Sequence, residues 1–192
     1  MFRSYIQWRS DLVDSILLIV IGLSLEAWLA PQVWMVSGDI PITPQSLLVV
    51  LWGVLWGWKV GVLTALGYLC LGGCGAPVFA DGASGWVHFT GSTSGFLLAF
   101  PISALAVGWL SEGVKRMPYA SAACLLLLGQ LVIVLLGLAW QRGIVPVPFT
   151  WFETLSQLMP ALLIKTALGA LAIVCVGRML SIHRHGGQVG QD

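Results

Sequence analysis

Charge is what this chain most lacks. It carries 9 Lys and Arg and 8 Asp and Glu among 192 residues, so 9% of its side chains are charged, against roughly 25% in a soluble domain. That scarcity excludes a water-facing globule. The net charge of +1 points to no partner by itself, and no nucleic acid is expected among its ligands. There is no G-x-x-x-x-G-K-[ST] phosphate loop, which rules out ATP hydrolysis by that route. Cys70, Cys74, Cys124 and Cys175 form no C-x-x-C pair and fall in or beside apolar stretches. They read as small core residues, with no metal, disulfide or cofactor expected. Histidine is equally sparse, His88 being the only one before the C-terminal tail. Gly91-Ser92-Thr93-Ser94-Gly95 has threonine where a nucleophile elbow needs serine. An intramembrane hydrolase would therefore want both its nucleophile and its base, and no enzymatic activity is expected.

What the chain has instead is apolar surface: 58% of residues are hydrophobic and the mean hydropathy is +0.92. Apolar runs at 12–30, 46–58, 60–75, 91–111, 119–139 and 154–178 predict an all-α membrane protein, a compact bundle of six transmembrane helices. Residues 1–180 form one domain and 181–192 a polar tail that frays. The first run is read as a retained helix, because Glu26 lies late in it and no small-x-small cleavage site precedes Pro31. Six spans put both termini on one side, together with Arg3, Arg9, Lys59, Lys115, Arg116, Arg178 and Arg184, whereas Arg142 alone lies opposite. The positive-inside rule then makes the termini cytoplasmic and the site of action the cell membrane. Trp34, Trp52, Trp56, Trp58, Trp109, Trp140 and Trp151 fall near span ends and read as interfacial belts. Gly53, Gly57, Gly61 and Ala65, at four-residue spacing, read as close helix packing within the bundle.

Two features interrupt this monotony. Lys165 sits alone in an apolar or uncharged stretch, Leu155 to Val176. An ammonium at that depth costs on the order of 3 kcal/mol or more unless paired, so it marks a functional site by default. Its possible partners are an anionic ligand or an internal acid, with Glu26 and Glu153 nearest by depth. Glu26 itself reads as an interfacial carboxylate, Arg142 as solvated and Asp81 as a turn former. The second feature is the long Gly-rich outward segment from Gly72 to Gly95, between the third and fourth helices, threaded with Phe79, Trp86 and Phe89. It reads either as a lid and wall for a small ligand or as a flexible external loop, since irregular backbone at membrane depth survives only where protein or a cavity surrounds it.

Pro41-Ile42-Thr43-Pro44-Gln45, then Tyr68-Leu69-Cys70-Leu71-Gly72-Gly73-Cys74-Gly75-Ala76-Pro77-Val78-Phe79, then Gly91-Ser92-Thr93-Ser94-Gly95-Phe96-Leu97-Leu98-Ala99-Phe100 resemble successive motifs of the BioY family. Members are biotin-specific S components of energy-coupling factor (ECF) transporters. The order and spacing agree over most of the chain, and Lys165 matches a lysine in the family's last helix. The resemblance implies a six-helix protein that captures biotin from outside and works with a transmembrane coupling protein and two ATPases. It further implies that Lys165, about 15 Å below the outer end of its helix, holds the biotin carboxylate. Thr43, Gln45, Ser92 and Thr93 become candidates for ureido contacts, and Phe79, Trp86 and Phe96 for apolar walls.

The chain departs from the family pattern at Leu162, where an acidic residue is usual three positions before the lysine, and at Pro44, Ser92 and Ser94. These departures bear on the ureido half of the site more than on the carboxylate half. A carrier for lipoate-like acids or for thiamine is the alternative reading.

Overall fold

The computed structural model describes residues 11–37, 40–112, 114, 117–144 and 151–186. Arg3, Arg9, Asp39, Lys115, Arg116, the side chains of Trp151, Glu153 and Arg184, and the tail beyond Gly186 lie outside the described residues. Among the described residues six α-helices follow one another: α1 (Asp11–Leu29), α2 (Gln45–Trp56), α3 (Trp58–Gly73), α4 (Ser94–Glu112), α5 (Tyr119–Ile144) and α6 (Trp151–Gly186). Four of them, α1, α4, α5 and α6, are long and apolar enough to cross a membrane, while α2 and α3 are shorter apolar helices. The chain is a multi-pass membrane protein. Because α6 continues through Gly186, residues 181–186 extend the last helix where a fraying tail was expected.

The all-helical expectation needs one amendment. Between α1 and α2 the chain forms an antiparallel ribbon of β1 (Trp34–Ser37) and β2 (Ile40–Ile42), with Trp34 opposite Ile42 and Met35 opposite Pro41. Pro31, Pro41 and Pro44 deny this stretch a helical hydrogen-bond ladder, and pairing the two extended pieces satisfies backbone groups that a loose loop would leave to water.

Glycine sets how closely the inner helices approach. At Gly57 (φ 83°, ψ 172°) the chain takes a conformation that side chains other than hydrogen resist, ends α2 and restarts at once as α3. The two helices then close on each other through Gly53 and Gly61, where a Cβ on Gly61 would stand 2.7 Å from the Gly53 Cα. On its other face Gly53 meets the backbone of Ala104 in α4. The four-residue small pattern is thus consumed inside the bundle. Around this seam Val50, Tyr68, Ala104, Val107, Leu126 and Ile173 make up the core.

Helix α1 sits at the rim. Leu12, Leu17, Val20 and Trp28 are exposed on its outer side, as suits a lipid-facing surface. Gly22, Glu26 and Ala30, one turn apart, are buried on its inner side. Glu26 has no exposure at all, which overturns its reading as an interfacial carboxylate: the helix faces α3 along just the stripe that holds it. Two further expectations change. Trp52 is buried, stacked on Trp56 with ring centroids 4.4 Å apart, and belongs to the core rather than to an interfacial belt. All four cysteines are free as thiols but exposed, since their positions fall on the outer faces of the helices or in the loop after α3.

Candidate functional site

The Gly-rich segment is an ordered cover. After α3 ends, Gly75 (φ 102°) turns the chain back, and Phe79 drops onto Gly72, whose missing Cβ leaves the space the ring occupies. Phe79 is 3% exposed. Its ring meets Tyr68 edge-on at 5.6 Å, His88 at 5.7 Å and Phe89 at 5.9 Å. Burying one such phenylalanine contributes about 2–3 kcal/mol, enough to pin a short loop. Polar ties reinforce the fold-back: the Tyr68 hydroxyl donates to the Val78 carbonyl at 2.7 Å, the Gly85 N–H to the Gly72 carbonyl at 2.7 Å, and the Asp81 N–H to the Pro31 carbonyl at 3.0 Å. Asp81 takes a left-handed conformation (φ 58°) in the turn Ala80–Gly82, the turn-forming role expected of it. Where the segment rejoins α4, the Ser94 hydroxyl donates to the Gly91 carbonyl, and Trp140 Nε1 donates to the same oxygen at 3.2 Å.

Beneath this cover lies a cavity of about 440 Å³, inside the roughly 300–1,000 Å³ range of small-molecule sites. Phe79, Phe96, Phe100, Ile133, Leu158 and Leu162 supply apolar walls. Polar groups enter from three directions: Thr43, Gln45 and Ser46 at the start of α2, His88 and Thr93 from the cover, and Gln130 and Lys165 from α5 and α6. The first turn of α2 brings the positive end of its dipole to the same wall.

Lys165 Nζ donates to Ser46 Oγ at 2.9 Å. Among the described residues no carboxylate pairs with it, so the internal-acid reading finds no support in Glu26; the Glu153 side chain lies outside the described residues. Helix α6 starts at Trp151, ahead of its apolar span, which begins at Thr154; Lys165 stands about 16 Å along the helix from that point, close to the 15 Å expected. Gln130 is almost fully buried in α5 and donates from Nε2 to Thr166 Oγ1 at 3.0 Å, while its Oε1 has no partner. Gln45 Nε2 is likewise buried without a partner. One cation, one unsatisfied carbonyl oxygen and one unsatisfied amide donor therefore share an otherwise apolar chamber. Buried polar groups are rarely left in that condition unless something else completes them.

Of the residues singled out from sequence, Thr43, Gln45, Phe79, Thr93, Phe96 and Lys165 line this one cavity, and Ser92 and Trp86 do not. Trp86 is 69% exposed, its ring against Phe89 on the outer side of the cover. Ser92 sits at the segment's junction with α4. Sequence reasoning passed over Ser46, His88, Phe100 and Gln130. Gln130 carried a usable signal, being a lone amide inside an apolar run, and the argument applied to Lys165 would have found it.

A helical bundle that holds one covered chamber, with a cation and hydrogen-bonding groups at membrane depth, defines a membrane protein built around a small polar ligand. Its fold is that of a solved S-component for biotin from an ECF-type ABC transporter, with a TM-score of 0.76 over 89% of this chain and 95% of that one at 20% identity. The chain belongs to the BioY family, whose model matches residues 5–185. It is 39% identical over 109 residues to a probable biotin transporter BioY of Pyrococcus horikoshii, an alignment covering 57% of this chain and 63% of that relative, a little under two thirds of its length. It is 31% identical over 156 residues to the biotin transporter BioY of Thermotoga maritima, covering 76% and 86% of the two chains. With biotin transporter BioY2 of Lactococcus lactis it shares 32% identity over 130 residues, covering 67% and 69%.

Proposed function

We propose that this chain captures biotin from outside the cell and carries it across the cytoplasmic membrane as the substrate-binding component of an ECF-type transporter. Family membership supports the substrate, and the observation that carries the site is Lys165: an ammonium at the wall of the chamber beneath the cover, held by Ser46 and by no carboxylate among the described residues. Biotin has a carboxylate at one end and a neutral ureido ring fused to an apolar thiolane at the other. The carboxylate meets Lys165, Ser46 and the start of α2. The ureido ring offers N–H donors to an acceptor such as Gln130 Oε1 and a carbonyl to a donor such as Gln45 Nε2, while Phe79, Phe96 and Phe100 flank the thiolane. Leu162 takes its place in this wall as an apolar surface, so the lysine charge is offset by the ligand rather than by a neighbouring acid.

The transmembrane coupling protein and the ATPases are the partners this role requires, since the chain has no phosphate loop of its own. The termini are cytoplasmic and the cover faces outward, in keeping with Lys59 and Arg178 at one end of the bundle and Arg142 at the other. An equilibrium-binding or thermal-shift screen of the purified protein against biotin, biotin methyl ester, lipoate and thiamine tests the reading. Biotin is expected to stabilise it and the ester to do so far less. Selective stabilisation by lipoate or thiamine, or by none of the four, would overturn it.

A further inference from the structure

The α1–α3 seam contains a carboxylate that the ligand chamber does not use. Glu26 is fully buried, and neither of its carboxyl oxygens has a hydrogen-bond partner. One turn earlier on the same face, Gly22 packs against Trp56 and Thr64. The Thr64 hydroxyl is also buried without a partner among the described residues, and one turn beyond it on the same face of α3 Tyr68 is fully buried. Among the described residues no cation faces the carboxyl. Helix α2 presents no titratable side chain. Along α3, Lys59 sits at the far end over the Trp58 ring and Cys70 points outward. Asp14 lies three helical turns away on α1, and Asp81, whose N–H meets Pro31, is exposed. Among the described residues Tyr68 is thus the titratable neighbour on this seam. Among the described residues an ionised carboxylate in this setting would have no counter-charge and would have to draw its donors from hydroxyls now turned elsewhere, an arrangement proteins avoid.

From this geometry we infer that Glu26 is a proton-binding site, and that its proton is linked to closure of the cover over the ligand chamber. The link is Tyr68. Its single hydroxyl hydrogen is given to the Val78 carbonyl, one residue before Phe79, which walls the chamber. While Glu26 carries a proton it makes no demand on that hydroxyl, and the cover stays tied. When Glu26 loses the proton, the carboxylate draws on the hydroxyls of this seam, Thr64 and Tyr68, and a Tyr68 O–H turned to Glu26 releases Val78. Protonation and closure therefore favour each other. By reciprocity, ligand capture takes up a proton and affinity falls as pH rises, by at most about tenfold per pH unit for one linked proton.

The inference rests on biotin as ligand only for its second half, so the test has two readouts. Without ligand, the infrared spectrum of the detergent-solubilised protein at neutral pH is expected to show the C=O stretch of a protonated carboxyl, lost in E26Q. With biotin, calorimetry in buffers of different ionisation enthalpy should show proton uptake on binding in the wild type. E26Q, fixed in the neutral shape, should bind without that uptake and fall in affinity at high pH less steeply than the wild type, the remaining fall belonging to the Lys165 ammonium. Y68F should keep the infrared band and lose the linkage. An infrared band that is absent, or unchanged in E26Q, would overturn the proton site. Uptake that survives in E26Q would assign it to Lys165 or His88 and overturn the linkage. Absence of biotin binding with the infrared band intact would count against the substrate and leave the proton site standing.

Discussion

Lys165→Met is the sharpest perturbation of the proposed carboxylate contact. The substitution keeps length and apolar volume and removes the ammonium that donates to Ser46. One hydrogen bond to a charged group contributes about 1.5–3 kcal/mol. A carboxylate left facing Ser46 alone, within walls of Phe79, Phe100 and Leu162, also pays for incomplete solvation, which brings the loss to about 2–4 kcal/mol. That is roughly a 30- to 700-fold rise in Kd. The ligand-free protein should not suffer, because removing an ammonium that lacks a carboxylate partner lifts a solvation cost, and Tm is expected to hold or rise. The assay is a double-mutant cycle by isothermal titration of wild type and K165M against biotin and its methyl ester. In the wild type the ester should bind far more weakly than the acid. In K165M the two should bind alike, leaving a coupling of about 1.5–3 kcal/mol. If K165M weakens acid and ester equally, the lysine shapes the cavity without meeting the carboxylate; if it weakens neither, the site lies elsewhere.

Other outcomes follow from the same geometry. Gln130→Met removes an amide whose oxygen has no partner among the described residues and should weaken biotin about tenfold, the worth of one neutral hydrogen bond, with Tm lowered only by the loss of its bond to Thr166. Trp86→Ala and Ser92→Ala, outside the chamber lining, should leave Kd within about twofold, whereas a tenfold loss would place the ligand higher in the cover. Gly61→Ala sets a methyl against the Gly53 backbone and should cost about 1–3 kcal/mol of stability, read as a lower Tm with little change in Kd relative to folded protein. Gly72→Ala drives the Phe79 ring from its seat and should lower Tm and biotin affinity together, a pairing that Gly61→Ala should not show.

Much of the bundle was legible in the sequence because membrane spans advertise themselves through length and composition, and every described helix overlaps an apolar run. The β1–β2 ribbon was not legible: its strands are short and one of them holds a proline, so periodicity has nothing to count. Depth within the bundle was equally hidden. Trp52 and Glu26 occupy positions near span ends, where hydropathy favours an interfacial reading, yet helix rotation turns both inward. That rotation depends on which small residues meet, such as Gly22 against Thr64, and no single stretch of sequence states it. The chamber showed the same division. Lys165 announced itself by charge in an apolar run, and Phe79 by its place after a glycine-rich helix end. Trp86 and Phe89 looked equivalent in the linear text, and only the turn at Asp81 and Gly82, followed by the short Trp86–Phe89 turn, sends one ring outward and the other inward.

The brevity of α3, whose Leu63, Leu66 and Leu71 are exposed, has a consequence for the host bilayer. Its 16 residues rise about 24 Å, while the hydrocarbon layer is about 30 Å thick. This sector cannot match the acyl chains by itself. Either lipid thins beside it or the ribbon and cover dip below the headgroups to make up the height. Acyl-chain length thus acts as a mechanical load on the same segments that close the chamber, and membranes of different thickness will hold the entrance under different tension.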